Sequence, residues 1–173
     1  MMHISQGKIL ISTPSLTDPN FDKVVIFIAE YNEKGALGFV INTLFPRTFN
    51  ELTAYSHSPA LPLYAGGPVE KESVFFVHRR PGLITGGTQI TDSIYFGGDF
   101  KQAVKCMSNK TLPANDIKLF IGYCGWDEGE LEEEIKEGSW LICSTSAQTI
   151  FAPHVAMLWE QLWKRKNNGS VVF

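Results

Sequence analysis

Gly122-Tyr123-Cys124-Gly125-Trp126-Asp127-Glu128-Gly129-Glu130-Leu131-Glu132-Glu133-Glu134-Ile135-Lys136-Glu137-Gly138-Ser139-Trp140 is the densest signal in the chain. An apolar run from Ile117 to Tyr123 leads into it and reads as a strand. A glycine-flanked turn follows, carrying the thiol of Cys124 and the indole of Trp126. Asp127 to Glu137 then holds seven acids and one lysine, with Leu131 and Ile135 one helical turn apart. Acids at a helix start offset its dipole, and Glu132 and Lys136 are spaced to pair. Gly138 closes the helix, and Trp140 to Ser144 is a second apolar run. Strand, loop, helix and strand make a β-α-β unit, which should cross over right-handed.

Upstream of this unit the chain favours strands. Gly7–Thr13 and Val24–Glu30 are apolar runs, and the second is continuous enough to be buried on both faces. A hairpin-length loop at 31–35 leads to a returning strand at Ala36–Asn42. Thr48-Phe49-Asn50-Glu51 has capping-box spacing and predicts a short helix to about Tyr55. Short strands are expected at Leu63–Ala65, Val74–His78 and Ile94–Phe96, with glycine-rich loop at Thr85–Thr88. Asp99 is positioned to cap a helix running to about Asn109. Pro153 suits the first turn of a final helix, with Val155, Leu158, Trp159, Leu162 and Trp163 on one face. Gly169 should stop that helix, leaving Ser170–Phe173 as an edge strand or frayed end. The sum is a mixed domain with more strand than helix.

Composition narrows the function classes. A chain of 173 residues is one domain by size, with 44% apolar and 19% charged residues. The net charge of −3 argues against a nucleic-acid-binding surface. Three cysteines, Cys106, Cys124 and Cys143, form no Cys-x-x-Cys pair, which points to a reducing compartment and away from a disulfide framework. No signal peptide and no run of the roughly 18 apolar residues needed for a membrane span is visible, so a cytoplasmic protein is expected. The four histidines are scattered, which argues against a metal site, and no cofactor motif is present.

Three blocks carry a family resemblance. The first is Ser12-Thr13-Pro14 with Leu16–Phe21 and Gly35–Asn42. The second is Tyr64–Val69 leading to Phe76–Arg79. The third is Gly122–Trp126, Gly129–Ile135 and Trp140. In order and spacing the chain resembles the YqgE/AlgH family of small bacterial cytoplasmic proteins. That resemblance implies an α+β domain with a strongly bent, partly barrel-like mixed sheet flanked by helices, spanning residues 1–173. The family's activity is not established, and some members are labelled transcriptional regulators without a recognised DNA-binding motif.

Polar, glycine and aromatic residues collect at strand ends of these blocks. Pro14, Asn42, Gly66, Gly67, Pro68, His78, Tyr123, Gly125 and Trp126 are therefore the candidate lining of a cleft for a small ligand, peptide or protein partner of unknown identity. The opposing reading gives the glycines to tight turns or bulges. Cys124, just before a helix N-terminus, is a candidate reactive or redox thiol on one reading and a packing residue on the other. The acidic helix is a solvated face or a docking surface for a basic partner. Removing its −6 leaves the rest of the chain at +3. His78-Arg79-Arg80 and Lys164-Arg165-Lys166 read as surface and helix-end charges.

Overall fold

The computed structural model describes residues 2–168. In chain order the elements are β1 (Ile9–Ser12), β2 (Val25–Asn32), β3 (Gly35–Val40), β4 (Leu44–Thr48), β5 (Pro62–Ala65), β6 (Val69–His78), β7 (Thr88–Gln89), β8 (Tyr95–Phe96), α1 (Phe100–Ser108), β9 (Ile117–Asp127), α2 (Glu130–Lys136), β10 (Trp140–Cys143), α3 (Ala147–Ile150) and α4 (Leu158–Asn168). The expected stop at Gly169 and the expected edge strand at Ser170–Phe173 lie outside the described residues.

Among the described residues, ten strands form one bent, open sheet in the order β10-β1-β2-β3-β9-β6-β8-β7, with β5 parallel to β9 and β4 paired to β5. Four antiparallel steps separate β9 from β10, so the two strands run parallel, as the β-α-β reading requires. The fold is α+β and mostly antiparallel.

β1 and β2 are buried on both faces, in keeping with their continuous apolar runs. Alternate residues separate cleanly. Ile9, Ile11, Val25, Phe27, Phe39 and Ile41 pack with Ile150, Leu158, Trp159 and Leu162 under α3 and α4. Leu10, Ile26, Ile28 and Val40 pack on the opposite face with Leu131 of α2 and with Trp126 and Trp140. A third cluster fills the space between β6, the start of β9 and α1 through Phe76, Leu119, Ile121, Ala103 and Met107.

β9 joins the two halves of the sheet. Its first part pairs with β5 and β6, and its last four residues, Cys124 to Asp127, pair with Gly38 to Gly35 of β3. Gly122, at φ 75°, sits at the changeover. Before it, Phe120 faces the core under α3 and α4; after it, Tyr123 does. The face of even-numbered residues has become the face of odd-numbered ones. One residue in the left-handed region therefore acts as a bulge that inverts the side-chain alternation and bends the strand.

This corrects the reading of the opening stretch. Cys124 and Trp126 stand in a strand, not a turn; the turn comes at Glu128–Gly129. Two strands escaped sequence reading, β4 with Pro46 inside it and the two-residue β7. Proline is compatible with β4 because β4 pairs on one side only. At the capping box Thr48 N–H does donate to Glu51 Oε1 at 3.0 Å, yet two 3₁₀ turns form instead of a helix. Leu52, extended at ψ 131°, interrupts them. Pro153 lies between α3 and α4 instead of opening the last helix. The expected apolar face is correct at Leu158, Trp159 and Leu162, which are all buried; Val155 is buried too but precedes the helix.

Candidate functional site

An open groove of about 460 Å³ lies between the β2–β3 hairpin, the end of β9 and the start of α2. Leu37, Val69 and Tyr123 supply its apolar surface, and Val69 is 38% exposed. Exposed Glu30, Asp127 and Glu130 stand around it with Lys34 as the opposing charge. The Asp127 N–H donates to Glu130 Oε1 at 2.5 Å, which holds the helix start against the end of β9. Burial and the neighbouring Glu70 carboxylate raise the Tyr123 pKa.

The nine candidate cleft residues do not share one surface. Tyr123, Gly125 and Trp126 border the groove. Gly67 and Pro68 line a different hollow of about 330 Å³ with Phe21, Val40 and Lys71. Gly66 is buried, donating its N–H to the Ile121 carbonyl and accepting from the Val40 N–H. Asn42 ties β2 in place: its Oδ1 accepts from the Val25 N–H and its Nδ2 donates to the Lys23 carbonyl. Pro14 is exposed in the loop after β1. His78 is fully buried, accepting from the Arg80 N–H at Nδ1 and lying 3.0 Å from the Gly97 carbonyl at Nε2. That pattern specifies the neutral ring protonated at Nε2, and burial lowers the pKa. The candidates are spread over the loop after β1, the end of β3, the connection from β5 to β6, the end of β6 and the last part of β9.

Trp126 is a core residue more than a surface one, with its indole 8% exposed. Its Nε1 donates to Glu134 Oε1 at 2.9 Å, and Trp140 Nε1 donates to the same oxygen at 2.8 Å. The two rings meet edge to face with centroids 6.3 Å apart. One half-buried carboxylate of α2 thus holds both indoles. Glu132, expected to pair with Lys136, instead accepts a hydrogen bond from the Tyr31 hydroxyl, which pushes that phenol up to about 12. Tyr31 reaches across from β2, and its competing donor wins over a flexible exposed lysine.

A family model described as AlgH-like matches residues 9–169. The chain belongs to the AlgH-like family. A UPF0301 protein of Chlorobium phaeobacteroides is 35% identical over 94% of this chain and 84% of its own length. The solution structure of the AlgH protein from Pseudomonas aeruginosa superposes with a TM-score of 0.76 at 25% identity, covering 98% of this chain and 93% of that one. A crystal structure from Corynebacterium diphtheriae shares the fold, with a TM-score of 0.78 at 21% identity over 95% of this chain and 88% of its own. The resemblance carried by the three sequence blocks is therefore correct at the level of family and fold.

In this AlgH-like chain Cys124 is 2% exposed, and its Sγ donates to the Gly66 carbonyl at 3.5 Å. Burial pushes the thiol up to about 12. An exposed, activated nucleophile is the opposite of this arrangement. Of the two readings of Cys124, the structure fits the packing residue, because the strand extends past it and packs it beneath α2. Alkylation of Cys124 by iodoacetamide at pH 8 is expected to proceed only through unfolding, tracking the urea dependence of global opening. Rapid modification of the native protein, read by peptide mass mapping, would contradict this.

Sequence reading missed Lys118. It stands between Ile117 and Leu119 in β9, is 4% exposed, and faces the same side as Phe120. Its Nζ donates to the Ile150 carbonyl at 3.0 Å and lies 4.1 Å from the centre of the Tyr64 ring. A charge inside an apolar strand run was the available signal. Among the described residues no helix is long and apolar enough to cross a membrane, and no trio of His, Cys, Asp or Glu is placed to hold a metal.

Proposed function

We propose that this AlgH-like chain is a non-enzymatic cytoplasmic binding module. It takes a short basic, partly apolar segment of a partner protein in the groove between the β2–β3 hairpin, the end of β9 and α2. The supporting observation is the coincidence there of exposed Val69 with three carboxylates, Glu30, Asp127 and Glu130, against a single Lys34. An apolar side chain of the partner would cover Val69 and Tyr123, while its basic neighbours would meet the carboxylate rim. Neither a metal nor a cofactor enters this reading. The groove keeps three of the nine sequence candidates, Tyr123, Gly125 and Trp126, and adds the acids beside them.

The test is a nitrogen-15 NMR titration with a short peptide alternating arginine and leucine. Shifts are expected at Leu37, Val69, Gly125 and Asp127. Asp127→Lys combined with Val69→Asp should weaken binding about tenfold or more at low salt. Glu133→Lys with Glu137→Lys, a larger charge change on the exposed side of α2, should leave it nearly unchanged. Equal losses in both double variants would show general attraction to acidic surface and sink the proposal.

A further inference from the structure

Lys118 has no carboxylate within 4 Å among the described residues, where the one ion pair joins Arg80 to Asp116 at 3.3 Å. A buried ammonium without a counter-charge is costly. Here one donor is satisfied by the Ile150 carbonyl, and the Tyr64 ring face meets the amine. An ammonium carries three donors, so this leaves room for a further acceptor.

The same lysine lines a chamber of about 220 Å³, together with Leu61, Tyr64, Asn115, Phe151 and Pro153. Its volume is below the roughly 300–1,000 Å³ of sites for drug-sized ligands. The walls are aromatic and aliphatic apart from Lys118, the hydroxyl of Tyr64 and the exposed Asn115 in the 3₁₀ turn at Ala114–Asp116. An apolar cage with one uncompensated cation matches a small anion that carries an apolar tail.

We propose that this chamber binds a small monocarboxylate, its carboxylate accepting from Lys118 Nζ and its hydrocarbon tail lying on Tyr64, Phe151 and Pro153. The site is independent of the groove. It lies at the opposite end of β9, beside Ile117 to Leu119, and shares no lining residue with the groove. Desolvation lowers the Lys118 amine to about 7, so it exchanges its proton near neutrality, and a bound carboxylate would hold that proton in place. The other titratable or charged groups nearby are Tyr64, raised by burial; Arg79, whose guanidinium stacks over Phe151 at 5.6 Å; and the Arg80–Asp116 pair.

The experiment follows binding of butyrate and benzoate, with butanol as the uncharged comparison, by NMR on the full chain. Butyrate and benzoate should shift Lys118, Tyr64 and Phe151 signals, and butanol should bind far more weakly. Lys118→Met should weaken binding roughly tenfold to a hundredfold. Apparent affinity for wild type should fall about tenfold per pH unit above 7, since only the protonated amine pairs with the carboxylate. Should Lys118→Met fail to fold, Ala114→Trp on the exposed rim is expected to block entry in a folded protein. In wild type the Lys118 side-chain titration should also move to higher pH with butyrate present. Equal binding of butanol and butyrate, or a Lys118 titration unmoved by butyrate, would overturn the proposal. Losing it would leave the groove reading intact, because the peptide titration involves none of these residues.

Discussion

Gly67→Ala is expected to destabilise the protein by about 3 kcal/mol or more, which is a large part of the roughly 5–15 kcal/mol that holds a typical domain folded. A Cβ at this position would stand 2.2 Å from the Tyr123 carbonyl carbon, 2.3 Å from its oxygen and 2.5 Å from the Cys124 nitrogen. These are backbone atoms of β9, so no rotamer change relieves the clash. The contact is reciprocal: a Cβ on Gly122 would stand 2.3 Å from the Gly67 carbonyl oxygen, at a φ of 75° that side chains rarely adopt. Here the chain leaving β5 lies against the bulge that inverts β9. Pushing the two apart would disturb both the β5–β9 pairing and the register that sends Cys124 and Trp126 beneath α2. Urea melts followed by circular dichroism test this, with Gly82→Ala as the comparison, since nothing lies within 4 Å of a Cβ there. Gly82→Ala should stay within about 0.5 kcal/mol of wild type. A Gly67→Ala midpoint equal to that of Gly82→Ala would refute the close-approach account.

Glu134→Leu should cost about 2–6 kcal/mol, because it strips the acceptor from two indole N–H groups at once. Each buried donor left without a partner costs roughly 1–3 kcal/mol. Glu134→Gln retains an oxygen in reach of both rings, so it should lose only the charge-assisted part of these bonds, about half of their strength. The difference between the two variants isolates the hydrogen bonds from the packing of the side chain. Tryptophan fluorescence should shift to longer wavelength in Glu134→Leu, as Trp126 and Trp140 gain access to water. Equal stability of the Leu and Gln variants would show that α2 is held by Leu131 and Ile135 alone. The result also bears on the acidic helix as a whole: at least one of its seven acids is committed inward and unavailable to a partner.

The residues that sequence reading placed correctly are those whose signal is local. Continuous apolar runs marked β1 and β2 as buried on both faces, and Asp99 caps α1 with its side chain accepting from the Gln102 N–H at 3.1 Å. The α2 helix, its closure near Gly138 and the return strand at Trp140 followed from spacing. The misreading of the Gly122–Trp126 stretch turns on glycine. The pattern assigns Gly125 to a turn, whereas it continues the strand, and of the turn and bulge readings open for Gly122 the bulge is the one that forms. A sequence shows that glycine is needed but not whether the need is a turn or a close approach of another strand. The nine cleft candidates disperse because residues similar in a linear pattern belong to strands and loops that the fold sets apart.

The sequence by itself determined the family, the predominance of strand, the late β-α-β unit and the faces of its helices, because each rests on residues within a few turns or strands of one another. Only the tertiary structure decided that β9 belongs to both halves of the sheet, that Glu134 gathers two indoles, and that Lys118 is buried without a counter-charge. Those features depend on partners far away in the chain: β3 and β5 for β9, and Tyr64 and Ile150 for Lys118. Periodicity says which side of a strand is buried, while the occupant of that side is chosen by packing across the whole fold. The stretch from Gly122 to Trp140 is the clearest instance, since its helix was written locally and its strand took shape only against Gly67 and Gly35–Gly38.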